Sequence, residues 1–292
     1  ILFFLFASQN HSNKKLNFKI SLLFLFMFSG FRIVTGKDDA SYINIFNLLK
    51  LDQLKITETM QEPIFTLILK FLGYLFSYES LFIFFSALSI FLLYKACLRY
   101  TAYAILPLLI YFSHKYIHND LNQIRQGIVS LFLLNIIDSK KILDLRKILL
   151  SSGIHLLSFS FIPAKYFLKF KFSKVNSYLF LIFLCSMASF YIKSEVFIDL
   201  FLNNKFYTYF IDSRFNQSLG LFSNINFYKT SLLILFVFLN LKKYMNNIDK
   251  FNILFNTYFF GYLILILFRN ISIISGRLSS VFFITEPFII YL

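Results

Sequence analysis

The chain of 292 residues is 58% hydrophobic and 15% charged, with a formal net charge of +15 and two cysteines. Soluble domains are roughly half apolar and a quarter charged, and the apolar residues here come in long uncharged blocks, so a water-soluble globule is excluded. The basic surplus, which in a soluble protein would suggest nucleic acid, sits in short loops between those blocks and is read as cytoplasmic loops facing anionic lipid headgroups.

In chain order, Ile1 to Ala7 is an apolar stretch without a basic leading region, which reads as the stub of a first span rather than a signal peptide. Apolar blocks follow at Ser21 to Phe31, Ile64 to Phe76, Leu81 to Tyr94, Ile128 to Ile137, Ile148 to Ile162, Tyr178 to Ile192, Ser231 to Leu241, Phe251 to Phe268 and Val281 to Leu292. Several are shorter than the roughly 20 residues that span a bilayer, but Asn, Ser, Tyr and Lys at their flanks tolerate the interface and extend the helix. The fold expected is all-α: one polytopic transmembrane helical bundle over residues 1–292, with about ten or eleven crossings, truncated at both ends. A β-barrel is excluded because its strands alternate apolar and polar residues. Cys97 and Cys185 lie in or beside spans with no partner spacing and read as packed apolar residues.

Five loops rich in Lys and Arg, at 9–19, 95–99, 140–147, 165–174 and 242–250, are assigned to the cytoplasm. The segments 32–62, 114–125, 193–229 and 269–280 mix both charges with Asn, Tyr and Gly and are assigned outside; 32–62 and 193–229 are the largest extramembrane segments. Two parity faults follow. Two blocks lie between Glu62 and Lys95 where one crossing is required, and a single block, Ile148 to Ile162, lies between two inner loops. Gly153, His155 and Pro163 make that second block a candidate re-entrant element, a form tolerated where backbone lines a protein cavity; the alternative is that one basic loop lies on the other side.

Ionisable groups beside apolar blocks are costly and mark candidate sites. Directly after the block ending at Phe31 come Arg32, Gly36, Asp38, Asp39 and Tyr42. Here an arginine can grip phosphate bidentately and Asp38 can orient it or accept a proton, unless the stretch is only a solvated loop. Glu62 before Pro63 reads in the plainest way as helix N-terminal capping. Asn122, Arg125 and Gln126 stand at helical spacings that would give them one face. His114 and His118 are spaced for a metal but lack a third ligand, and no metal is expected. His155 in an apolar block is a packing residue unless a partner exists. Arg277 precedes the last run. Arg32, Arg125 and Arg277 all begin or end blocks on the side assigned outside, an arrangement suited to a pyrophosphate.

These elements resemble the EpsG-type membrane proteins of bacterial exopolysaccharide clusters, related to the Wzy O-antigen and capsule polymerases. The family's opening pattern is Arg, Gly four on, Asp six on, an aromatic seven on and Tyr ten on. Arg32, Gly36, Asp38 and Tyr42 match it, while Asp39 departs at the aromatic position. Glu62-Pro63, Asn122 to Gln126, His155 and Arg277 follow in order, although Val281-Phe282 keeps only the Phe of the family's Tyr-Phe.

The resemblance implies a metal-independent and cofactor-free glycosyltransferase of the bacterial cytoplasmic membrane. It would join oligosaccharide units carried on polyprenyl pyrophosphate at the outer face, with Arg32, Arg125 and Arg277 on pyrophosphate and Tyr42, Asn122 and Gln126 as further substrate contacts. Asp38, Glu62 or His155 would serve as base. Implied partners are the lipid-linked oligosaccharides, the bilayer, a chain-length regulator and a flippase, with no nucleic acid. Two rival readings are a flippase of the same lipid-linked glycans, which would carry charge through the depth of its spans, and a membrane acyltransferase resting on His155.

Overall fold

The computed structural model describes residues 14–33, 36, 38–53, 62–101, 105–137, 144–168, 175–192, 224–240 and 248–292. The first-span stub expected at Ile1 to Ala7 and most of the outer segment 193–229 lie outside the described residues, as do parts of the basic loops at 9–19, 140–147, 165–174 and 242–250. Among the described residues every regular element is helical.

The helices are α1 (Lys14–Gly30), α2 (Asp39–Lys50), α3 (Pro63–Leu75), α4 (Glu79–Thr101), α5 (Ile105–Tyr111), α6 (Ile124–Ile136), α7 (Leu145–Ser152), α8 (Phe161–Phe167), α9 (Val175–Ser189), α10 (Ile225–Leu239), α11 (Ile248–Leu267), α12 (Ser272–Phe282) and α13 (Glu286–Tyr291). A π-helical turn, Phe112–Tyr116, carries α5 on to Asn119, and a 3-10 turn, Leu156–Ser160, stands between α7 and α8. By length and composition α4 and the Lys250–Leu267 stretch of α11 are long and apolar enough to cross a bilayer, and α3, α6, α9 and α10 are shorter apolar helices. The chain divides into two compact units, residues 1–162 with 286–292, and residues 163–285.

In the first unit α1 packs on α4 through small residues. The Ser29 and Ser86 hydroxyls meet at 2.5 Å, and a Cβ on Gly30 would stand 3.5 Å from the Ile83 backbone. Close approach of helices through Gly and Ser is how apolar helices associate where no hydrophobic gain separates them. α4 packs in turn on α6: Asn135 Nδ2 donates to the Leu92 carbonyl at 2.9 Å and the Tyr100 hydroxyl to that of Leu134 at 3.1 Å. Many large apolar side chains stay exposed, among them Leu23, Phe24, Phe71, Phe91 and Leu149, a periphery that water disfavours and lipid does not.

Both irregular regions flagged by the parity count are broken backbone. The segment Ile64 to Tyr94 forms two helices, α3 and α4, separated by a short turn. The block Ile148 to Ile162 is not one helix: α7 stops at Ser152, His155 is extended at φ −156° and ψ 129°, and the 3-10 turn follows. Its break is held by α3, whose first backbone donors, Ile64 N and Phe65 N, both donate to the Gly153 carbonyl at 2.9 and 3.1 Å. This satisfies helix-start donors that have no partner inside their own helix.

The second unit is built on α11, with α9, α10 and α12 against it. Its core is aromatic, with Tyr178 edge-on to Phe259 at 4.7 Å and its hydroxyl donating to Asn256 Oδ1 at 2.8 Å. A Cβ on Gly261 would lie 2.8 Å from that of Phe282, so glycine permits the close approach of α11 and α12.

Candidate functional site

Two arginine–carboxylate pairs organise the polar end of the first unit. Arg32, just past α1, forks onto Asp39, the first residue of α2: Nη2 donates to Oδ1 at 2.6 Å and Nε to Oδ2 at 3.2 Å. Its Nη1 donates to the Asp120 carbonyl at 2.5 Å, and the guanidinium lies 4.6 Å from the centre of the Phe82 ring. Asp39 Oδ2 also accepts the Gly36 N–H at 2.8 Å. With the Arg32 side chain 4% exposed and the Asp39 side chain 0%, this pair ties the 32–39 loop to the turn before α6. Gly36 is obligatory there, since a Cβ would fall 2.1 Å from the Leu121 carbonyl oxygen.

That turn carries a second buried carboxylate. Ser89 on α4 donates to Asp120 Oδ1, and the Tyr111 hydroxyl donates to Oδ2 at 2.5 Å. Burial pushes the Asp120 carboxyl up to about 6, and the bonds from Ser89 and Tyr111 and the nearby Arg32 charge oppose this only in part.

Arg125, the second residue of α6, forms the other pair: its Nη1 donates to Glu62 Oε2. The guanidinium lies 5.1 Å from the centre of the Phe65 ring and 5.7 Å from that of Tyr42, and its Nε is buried without a hydrogen-bond partner. Asp38 acts on both Tyr42 and Arg125 electrostatically. Glu62 does not cap α3 with its side chain. Its Oε1 accepts the Leu156 N–H at 3.1 Å and faces His155 Nδ1 at 2.9 Å. Burial would raise the Glu62 carboxyl, but the His155 hydrogen bond, the Arg125 and His155 charges and the Leu156 N–H outweigh it and hold the group at about 2. The side chains of Arg125, Glu62 and His155 are 18%, 7% and 17% exposed, so the cluster is sheltered yet reachable.

The structure therefore brings Arg32, Asp38, Tyr42, Glu62, Arg125 and His155 into one unit at the starts and ends of helices. The face expected to unite Asn122 with Arg125 and Gln126 does not form. α6 begins at Ile124 with Gln123 as its N-cap, so Asn122 is off the helix, and its Nδ2 donates to the Ile117 carbonyl at 3.1 Å. Gln126 is buried on α6. Arg277 lies on α12 in the second unit. Sequence reasoning missed Asp39 as the carboxylate partner of Arg32 and Asp120 as the carboxylate held by Ser89 and Tyr111; the signal available was that each is a carboxylate beside an apolar block, costly unless paired. Among the described residues no three His, Cys, Asp or Glu side chains gather as metal ligands.

A sheltered guanidinium with an unused donor, beside a histidine held by a carboxylate, can bind an anion and move a proton at one place. The EpsG family model matches residues 15–292. No curated protein and no solved structure matches the chain.

Proposed function

The chain belongs to the EpsG family, and from that premise we propose that it is a multi-pass protein of the bacterial cytoplasmic membrane that polymerises exopolysaccharide. In this reading it passes a growing glycan from polyprenyl pyrophosphate onto a hydroxyl of the incoming lipid-linked oligosaccharide at the outer face. The bilayer, the lipid-linked oligosaccharides, a chain-length regulator and a flippase are its partners.

The observation that carries the reading is the Arg125–Glu62–His155 cluster. The donor's leaving group is a pyrophosphate anion already at the membrane surface, and a sheltered guanidinium stabilises charge as it develops there. Arg125 takes the pyrophosphate through its unpartnered Nε–H, while the Tyr42 and Phe65 rings beside it hold the guanidinium in place. Arg32, whose donors go to Asp39 and Asp120, shapes the loop beside it. Arg277, and with it Asn122 and Gln126 as sugar contacts, enter this proposal from the family resemblance. Arg32, Asp39, Glu62 and Arg125 stand at helix ends, which favours a surface reaction over a flippase whose charges would run through the depth of its spans.

The test is R125A in a strain where this chain is the sole polymerase. Polymer is expected to be lost while lipid-linked single units accumulate; polymer of normal length and yield would overturn the reading.

A further inference from the structure

We infer that Glu62 is a positioning residue that holds His155 as the general base of the transfer, and that the same carboxylate links this base to the arginine that takes the donor phosphate. The inference rests on the polymerase reading and assigns a role that reading leaves open.

The geometry separates the three candidate bases. Glu62 is engaged at both oxygens, by Arg125 on Oε2 and by His155 and the Leu156 N–H on Oε1. A carboxylate held at about 2 stays ionised at neutral pH and is a feeble proton acceptor there. Asp38 stands at the start of α2, on the Tyr42 and Arg125 side. His155 is the group that Glu62 faces at Nδ1, at 2.9 Å. An ionised carboxylate accepts and cannot donate, so Nδ1 carries the hydrogen, and the neutral ring keeps its basic lone pair on Nε2. This is the logic by which a carboxylate sets the tautomer of a catalytic histidine and steadies the imidazolium that forms.

The backbone reinforces the placement. Gly153 O takes the two leading N–H groups of α3, and Glu62, the residue before α3, takes the Leu156 N–H. The extended His155 is therefore fixed from both flanks onto one helix start. In the step itself the acceptor O–H bond breaks and its proton goes to Nε2. The oxygen forms a bond to the donor's anomeric carbon, and the bond from that carbon to phosphate oxygen breaks, its electron pair leaving with polyprenyl pyrophosphate. Arg125 must share itself between that phosphate and Glu62, and each contact it gives to phosphate leaves more of the carboxylate's charge to the imidazolium forming beside it.

The test uses the full chain in lipid nanodiscs with 15N-labelled histidine. The protein has four histidines, and H11Q/H114Q/H118Q leaves His155 as the one signal. On this background the neutral ring is expected to show Nδ1 protonated and Nε2 bare. E62A is expected to move the hydrogen to Nε2, E62D to keep it on Nδ1, and R125A, which spares the Glu62–His155 contact, to keep it there too. In cells H155Q is expected to lower the rate of polymer formation roughly a hundredfold or more, the usual weight of a general base. A protonated Nε2 in the neutral ring, or an unchanged tautomer in E62A, overturns the inference. Polymer lost in R125A but kept in H155Q overturns the base assignment and leaves the polymerase reading intact; polymer kept in both overturns both.

Discussion

Arg125 and Glu62, 63 positions apart in sequence, meet as an ion pair that is almost wholly sheltered from water. Removing one partner of such a pair strands a charge without compensation, at a cost of about 3–5 kcal/mol. R125A and E62A are each expected to lower the unfolding temperature of the purified chain in detergent. The double variant should be less damaging than the two losses combined, by about 1–3 kcal/mol. Thermal unfolding followed by circular dichroism checks this, and strictly additive losses would mean that the pair contributes nothing to the fold.

Gly36 makes a second stability prediction. A Cβ there would sit 2.1 Å from the Leu121 carbonyl oxygen and 2.8 Å from Asp39 Oδ1. One of these neighbours is backbone and the other is locked to Arg32, so neither yields cheaply. G36A is expected to cost about 1–3 kcal/mol, the scale of overpacking, and to open the 32–39 loop. Hydrogen exchange should speed up at the Asp39 and Tyr42 amides while α9 and α11 keep their protection.

The apolar blocks made part of the helices legible: α3 falls within a residue of the expected limits, but α4 runs on past Tyr94 to Thr101, and α2 and α5 lie where no apolar block was expected. At His155 the cues Gly153 and Pro163 marked the block as a candidate re-entrant element, but the extended backbone of His155 and the carboxylate it faces come from contact with the start of α3, which spacing does not encode. The face uniting Asn122 with Arg125 was misread because one non-helical residue, Gln123, moves everything before it off the helix. Glu62 looked like a cap, since a carboxylate before Pro is what a cap looks like, and only the meeting of segments distant in sequence gives it another partner. The arginines were visible as costly charges, but whether each meets a partner or a ligand is decided by tertiary contact, which no spacing encodes.

The buried carboxylates of Glu62 and Asp120 act in opposite directions as pH changes. Glu62 is held at about 2 against an ordinary 4.5, so its stabilisation is complete above 4.5 and is lost as pH falls from there toward 2; the linkage is on the order of 3 kcal/mol. Asp120 is raised to about 6 from 3.8, so its protonated form suits the fold, and its contribution is fully present below 3.8 and lost as pH rises through 6. Amide exchange at Leu156 is expected to accelerate only below about pH 4.5. Exchange around the turn at Asp120 should slow as pH falls from 7 to 4, after correction for intrinsic rates. Parallel profiles at the two places would refute the separate assignments.

The contact of Arg32 Nη1 with the Asp120 carbonyl also fixes a topological relation. Residue 32 follows α1, and residue 120 lies between the end of the α5 extension and α6. A hydrogen bond between them requires both junctions at one end of the unit, whatever the number of crossings between. Alkaline phosphatase fused after Asp38 and after Leu121 is expected to be active at both sites, and green fluorescent protein fused at the same sites to be dark, as befits the outer face. A fusion after Lys95 or Arg99, beside the Lys- and Arg-rich end of α4, should give the reverse pattern by the positive-inside rule. Opposite signals at the first two sites would make the Arg32–Asp120 contact impossible. The same inner signal at both would keep the contact but place the Arg125 cluster away from a lipid carrier presented outside, and would remove the outer-face polymerase reading with it.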